Sequence, residues 1–133
     1  MGQVSRYGEP VHILVVEDEF LISEWIAEVL AAKGFAVETA ANARDALRHL
    51  ACGHVDVLFT DINLAGGMDG VALSRCAREM LPDLPIVYAS ARFAMLEPEA
   101  RVPGSTFVRK PYEAETVARL LAALTKSQIP VMA

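Results

Sequence analysis

Cysteine is scarce: the 133 residues hold two, Cys52 and Cys76, with no CxxC spacing. A disulfide framework is not expected, and both thiols read as free groups of a reducing cytosol. No apolar run approaches the roughly 20 residues that a bilayer-spanning helix requires. Met1 to Pro10 is polar and holds no apolar core of the signal-peptide kind. These absences lead to the expectation of a soluble, cytoplasmic protein without a membrane partner. Positive charge is not in excess either. The formal net charge is −5, which lends no support to a nucleic-acid partner. No Walker loop occurs, and no G-x-G-x-x-G follows the first apolar run, so a nucleotide-binding reading lacks its phosphate cradle.

The chain does have the makings of a core. Hydrophobic residues make up 53% and charged residues 22%, the proportions of a folded globular chain. Its length fits one domain. Residues 1–10 read as a flexible lead, 11–126 as the domain and 127–133 as a frayed tail. Five apolar, largely β-branched runs lie at 11–16, 35–39, 55–60, 86–89 and 106–109. Near-continuous runs of this kind suit strands covered on both faces. Helical spacing appears between them. Ile22, Trp25, Ile26, Val29 and Leu30 form one stripe, closed by Lys33-Gly34. Asn42 is the N-cap expected for a helix bearing Ala46, Leu47 and Leu50. Leu73, Ala77, Met80 and Leu81 mark the buried face of the third helix, and Val117, Leu120, Leu121 and Leu124 that of the last. Between strands four and five, Pro98 and Pro103 limit any helix to a short or irregular one over 92–100. Strand–helix alternation of this kind specifies an α/β fold with a parallel sheet and helices on both faces.

The strand ends carry the polar chemistry. Run one ends in Glu17-Asp18-Glu19, run three in Asp61, run four in Ser90 and run five in Lys110-Pro111. In open α/β sheets this carboxyl edge is where ligands sit. Each residue also has a plain structural explanation. Asp61 can cap a turn, the three acids can complement a helix N-terminus, Ser90 can be an N-cap, and Lys110-Pro111 can be a strand-to-helix turn. Taken together they offer something more specific. Carboxylates crowded at one edge repel one another and call for a hard cation such as Mg²⁺. A carboxylate beside such an ion can act as a nucleophile toward a phosphoryl group. Lys110 would neutralise charge on the transferring oxygens, and the Ser90 hydroxyl would donate a hydrogen bond to one of them.

With Glu17-Asp18, Asp61, Met68-Asp69-Gly70, Ser90 and Lys110-Pro111 at these spacings, the chain resembles the receiver domains of two-component response regulators over residues 11–125. The resemblance implies a flavodoxin-like fold: five parallel strands in order 2-1-3-4-5 flanked by five helices. It implies Asp61 as phosphoacceptor and Asp18 and Asp61 as direct Mg²⁺ ligands. Glu17 would act largely through water, and the Asn63 backbone carbonyl would complete the protein ligands. By the same resemblance Lys110 pairs with the phosphoryl group, Ser90 is the switch hydroxyl and Phe107 the switch aromatic, although Phe107 also reads as a plain core residue. The phosphodonor would be a histidine kinase or a phosphotransfer protein. The resemblance implies a switch and not an enzyme acting on other substrates.

Departures from the family pattern stand out. Ala65 replaces a usual proline, the loop from Asp61 to Gly70 is one residue longer than common, and the span from Ser90 to Phe107 is about two residues shorter than usual. Tyr112 replaces a more frequent phenylalanine, and Asn63 and Arg92 occupy positions that tune phosphoryl lifetime in the family. The expectation is a stand-alone receiver. It signals by phosphorylation-dependent contact with a protein target, as monomer or phosphorylation-dependent dimer, or drains phosphate from a kinase. The rivals are an unphosphorylated pseudo-receiver, a Mg²⁺-dependent aspartyl-phosphate phosphohydrolase and a flavodoxin-like cofactor binder. The phosphohydrolase is disfavoured by Asn63 where a second acid is common, and the cofactor binder by three acids where phosphate would sit.

Overall fold

The computed structural model describes residues 9–91 and 101–126. Five strands form one sheet, β1 (His12–Val16), β2 (Ala36–Ala40), β3 (Val57–Asp61), β4 (Ile86–Ser90) and β5 (Thr106–Arg109), in the order β2-β1-β3-β4-β5. Every neighbouring pair is parallel. Four helices lie among the described residues: α1 (Phe20–Ala32), α2 (Ala43–Cys52), α3 (Gly70–Met80) and α4 (Ala114–Lys126). The short helix expected over 92–100 falls outside the described residues, as do most of the lead and the tail at 127–133. None of the described helices is long and apolar enough to cross a membrane.

The inner strands β1, β3 and β4 are apolar on both sides because both sides are covered. Ile13, Val15, Val57, Phe59, Val87 and Ala89 face a layer that includes Ile26 and Leu30 of α1 and Val117 and Leu121 of α4. Their alternates Leu14, Val16, Leu58, Ile86 and Tyr88 face Ala46 and Leu50 of α2 and Leu73 and Ala77 of α3. Each fully buried Leu, Ile or Val contributes about 1.5–3 kcal/mol. The helix stripes read from spacing point inward, with two exceptions. Met80 is 41% exposed and Trp25 43% exposed. Met80 closes the last turn of α3 and overhangs the core, whereas Trp25 lies over the side of α1 against Tyr112.

Local chemistry fixes the helix starts. Asn42 caps α2 by accepting the Asp45 N–H at 2.9 Å, as expected. Asp69 caps α3 by accepting the Ala72 N–H at 2.8 Å. The third strand begins two residues later than the apolar run, at Val57. Asp56 precedes it as a buried carboxylate that accepts the His12 N–H at 2.8 Å and contacts His54 Nε2 at 2.9 Å. That arrangement ties the entry of β3 to that of β1.

Candidate functional site

The register of the sheet sets Val16 beside Thr60 and Asp61 beside Ala89, so the ends of β1, β3 and β4 come level. Glu17 follows β1 and Asp61 closes β3, and both are buried, at 5% and 8% exposure. Asp18 is exposed. Carboxylate oxygens of Glu17, Asp18 and Asp61 lie within 4.8 Å of one another. Lys110, just past β5, reaches across the edge. Its Nζ donates to Glu17 Oε1 at 2.9 Å and to Asp61 Oδ2 at 3.1 Å. Glu17 therefore serves both the cluster and the start of α1. Its second oxygen accepts the Glu19 N–H at 3.1 Å, and no side chain caps α1.

Burial raises the Asp61 carboxyl above the ordinary aspartate range, against the lowering effects of Lys110 and of the Asn63 backbone N–H. Burial likewise raises Glu17. Burial pushes Lys110 down, but its hydrogen bond to Glu17 and the charge of Asp61 outweigh this and leave it raised. One ammonium thus falls short of neutralising the carboxylates. The three oxygen donors suit a hard divalent cation, so the residues fit Mg²⁺.

The sign of this imbalance is measurable. A carboxyl raised in the folded state costs stability once pH passes above its unfolded value, and the cost vanishes below the ordinary aspartate range. Asp61→Asn should therefore raise the Tm of the metal-free protein at neutral pH. The gain should disappear toward pH 3. Thermal melts in chelator across pH 3–8 check it, and a destabilised Asn variant at pH 7 contradicts the charge imbalance.

Ser90 and Phe107 lie on β4 and β5, and Asn63 follows β3. Ser90 ends β4, is 2% exposed, and accepts the Lys110 backbone N–H through its carbonyl at 3.0 Å. Phe107 sits opposite Tyr88 in the β4–β5 register, half-buried against the α2/α3 layer. Asn63 is exposed in the loop after β3. Arg92 lies outside the described residues.

Three residues matter more than their sequence context suggests. Tyr112 lines a cavity of about 10 Å³ with Glu17, Asp61, Phe59 and Ala89. Its ring stacks on Trp25 (centroids 5.7 Å apart) and meets Phe59 edge-on at 5.5 Å. Burial and then the charge of Glu17 push its phenol up to about 12. Tyr88 is fully buried, and its hydroxyl is 2.6 Å from Ser74 Oγ of α3 and accepts the Val102 N–H at 3.2 Å. Gly70 packs against the backbone of Asp61 and Ile62 and donates its N–H to the Ile62 carbonyl at 2.7 Å. Gly70 had a sequence signal as the end of Met68-Asp69-Gly70 and Tyr112 one as a departure from the family's phenylalanine, whereas Tyr88 had none.

Known proteins share this fold. The model of the response regulator receiver domain family matches residues 13–123. The heme response regulator HssR of Staphylococcus haemolyticus is 32% identical over 122 residues, covering 90% of this chain and 54% of its own. The response regulator MprA of Mycolicibacterium vanbaalenii is 30% identical, covering 91% and 53%. The chain thus spans about half the length of these relatives. Among solved structures, a response regulator receiver protein from Sinorhizobium medicae superposes with a TM-score of 0.82 at 28% identity, covering 90% of this chain and 98% of that one. The receiver domain of the hybrid histidine kinase CckA gives 0.74 at 30% identity, covering 86% and 98%. On sequence and fold alike, the chain belongs to the response regulator receiver domain family.

Proposed function

We propose that this receiver is a phosphoacceptor switch in which Asp61 takes a phosphoryl group from a phosphohistidine of a histidine kinase or phosphotransfer protein. The observation that carries the reading is the bridging of Glu17 and Asp61 by Lys110 at the carboxyl edge of the sheet, with Asp18 alongside. An Asp61 carboxylate oxygen attacks phosphorus. The O–P bond forms as the N–P bond of phosphohistidine breaks, and the electron pair returns to the imidazole nitrogen. Asp18 and Asp61 would hold Mg²⁺ directly, Glu17 through water and Asn63 through its backbone carbonyl. Mg²⁺ supplies charge neutralisation at the transferring oxygens. Lys110 stands where it can exchange a carboxylate partner for a phosphoryl oxygen.

The same reading assigns the response. A phosphoryl group on Asp61 attracts the Ser90 hydroxyl one strand away, and Phe107 on β5 moves into the space released. Such a step is a two-state change biased by local electrostatics. The protein is then a switch that acts on its own aspartate, and its output is contact with a downstream protein.

Intact-mass measurement after incubation with Mg²⁺ and a small acyl phosphate tests this. The wild type should gain one phosphoryl group, and Asp61→Asn should gain none. An unmodified wild type in the presence of Mg²⁺ favours the pseudo-receiver, and continuous turnover of the donor in the Asn variant removes Asp61 from the chemistry.

A further inference from the structure

A groove of about 850 Å³ runs between α2 and the loop that follows β3, away from the carboxylate cluster. Its floor is apolar: Ala43, Leu47 and Ala51 from α2, and Ala65 and Met68 from the loop. Its rim carries Arg44 and Arg48, both exposed. These two arginines stand four residues apart, so they are neighbours on one helix face and repel each other at a cost of about 0.2–0.5 kcal/mol. Asp45 offsets this weakly, 3.7 Å from Arg48, and Arg44 has no ion pair among the described residues. A paired positive rim over an apolar strip is thus maintained at a small loss of helix stability, on a chain whose net charge is −5.

We infer that this groove docks an acidic, amphipathic segment of a protein partner, with apolar side chains on the α2 strip and carboxylates on Arg44 and Arg48. Charge complementarity selects the occupant. The rim attracts anions, while the acidic body of the chain disfavours an extended polyanion such as nucleic acid. The apolar floor gives a free small anion little to bury against. An amphipathic helix laid in a groove, with anchors at i, i+3 and i+4, meets both requirements. The far wall, Ala65–Met68, is reached from Asp61 without an intervening element, and Gly66 and Gly67 there both hold φ at +95°. Binding would therefore engage the segment adjoining the proposed acceptor, although docking itself does not depend on that assignment.

The test uses the full chain and a synthetic helical peptide of about 16 residues, with leucine on one face and glutamate on the other. Backbone amide shifts are followed by NMR during titration at low salt. The expected result is saturable shifts confined to Ala43–Cys52 and Ala65–Met68. Arg44→Glu with Arg48→Glu should weaken binding about tenfold or more, and Arg44→Lys with Arg48→Lys should retain most of it, since steering charge survives that change. Because both arginines are exposed, the variants should fold, which their spectra report directly. A peptide with serine for leucine should not bind. Four results overturn the inference: no shifts at millimolar peptide, shifts centred on another face, indifference to the Glu variants, or equal shifts with acetate alone or with a single-stranded oligonucleotide. Phosphorylation of Asp61 in parallel keeps the two readings apart, because docking can fail while the acceptor works, and the reverse.

Discussion

Replacing Gly70 by alanine is expected to cost about 2–4 kcal/mol, roughly 10 °C in Tm. The added Cβ would overlap the Asp61 carbonyl oxygen and stand 2.9 Å from both the Asp61 carbonyl carbon and Ile62 Cα. These are backbone atoms in a strand hydrogen-bonded on both sides, so they cannot yield as a flexible side chain does. The helix must give way instead. Its movement breaks the Gly70 N–H to Ile62 bond and loosens the Asp69 cap. Because the displaced atoms belong to Asp61, phosphoryl acceptance should fall along with stability. Gly67→Ala is the matched control. Nothing lies within 4 Å of a Cβ there, and only the φ of +95° resists it, a cost of about 1–2 kcal/mol. Thermal melts of the two variants decide the matter. Gly70 itself holds no positive φ, so a loss at position 70 no larger than that at position 67 would mean that the close approach to Asp61 is relieved at little cost.

Lys110→Ala should have the largest effect on chemistry. Its ammonium is bonded to two buried carboxylates, and removing it leaves both without their cation. A preorganised donor of this kind is worth about 10²–10³ in rate, so phosphorylation of Asp61 should slow by that factor. Stability should fall as well, by about 1–3 kcal/mol, given that the site opens to solvent at one side. The pH dependence follows from the net raised Lys110. A cation held more tightly when folded contributes fully below its unfolded value and fades as pH climbs through the folded one. The gap between wild type and variant should thus persist at neutral pH, close in the alkaline lysine range as Lys110 loses its proton, and shrink in acid as Asp61 and Glu17 take up theirs. Stopped-flow phosphorylation and denaturant melts at several pH values measure both. An alanine variant phosphorylated at the wild-type rate would take Lys110 out of the reaction.

The strand–helix alternation, the three carboxylates and Lys110 at the strand ends were legible in the sequence for a physical reason, whereas the strand order came from the family resemblance. The inner strands β1, β3 and β4 are buried on both faces, so each leaves an unbroken apolar run, and the polar residue at the end of the run marks the sheet edge. Residues whose importance lies in distant partners left no such trace. Tyr88 reads as one more apolar strand residue, because its hydroxyl partners, Ser74 and Val102, each lie 14 positions away. Asp56 reads as the second residue of a strand, yet its carboxylate caps the start of β1. Met80 obeys helical spacing, but the core ends before it. Tyr112 looks like a mild substitution until its ring is seen to wall the cavity beside Glu17 and Asp61. The short helix expected between β4 and β5 falls outside the described residues and so remains a sequence expectation.

The stack of Trp25 on Tyr112 gives the protein an optical readout of its own. Trp25 is the single tryptophan in the sequence. Its indole rests on a phenol ring whose other neighbour, Phe59, lies two residues before Asp61. Emission from one fluorophore, with no label and no engineered reporter, therefore follows the packing between the first helix and the carboxylate edge. Titration of a cation or a phosphodonor can be recorded as a change in tryptophan quenching in the unmodified chain.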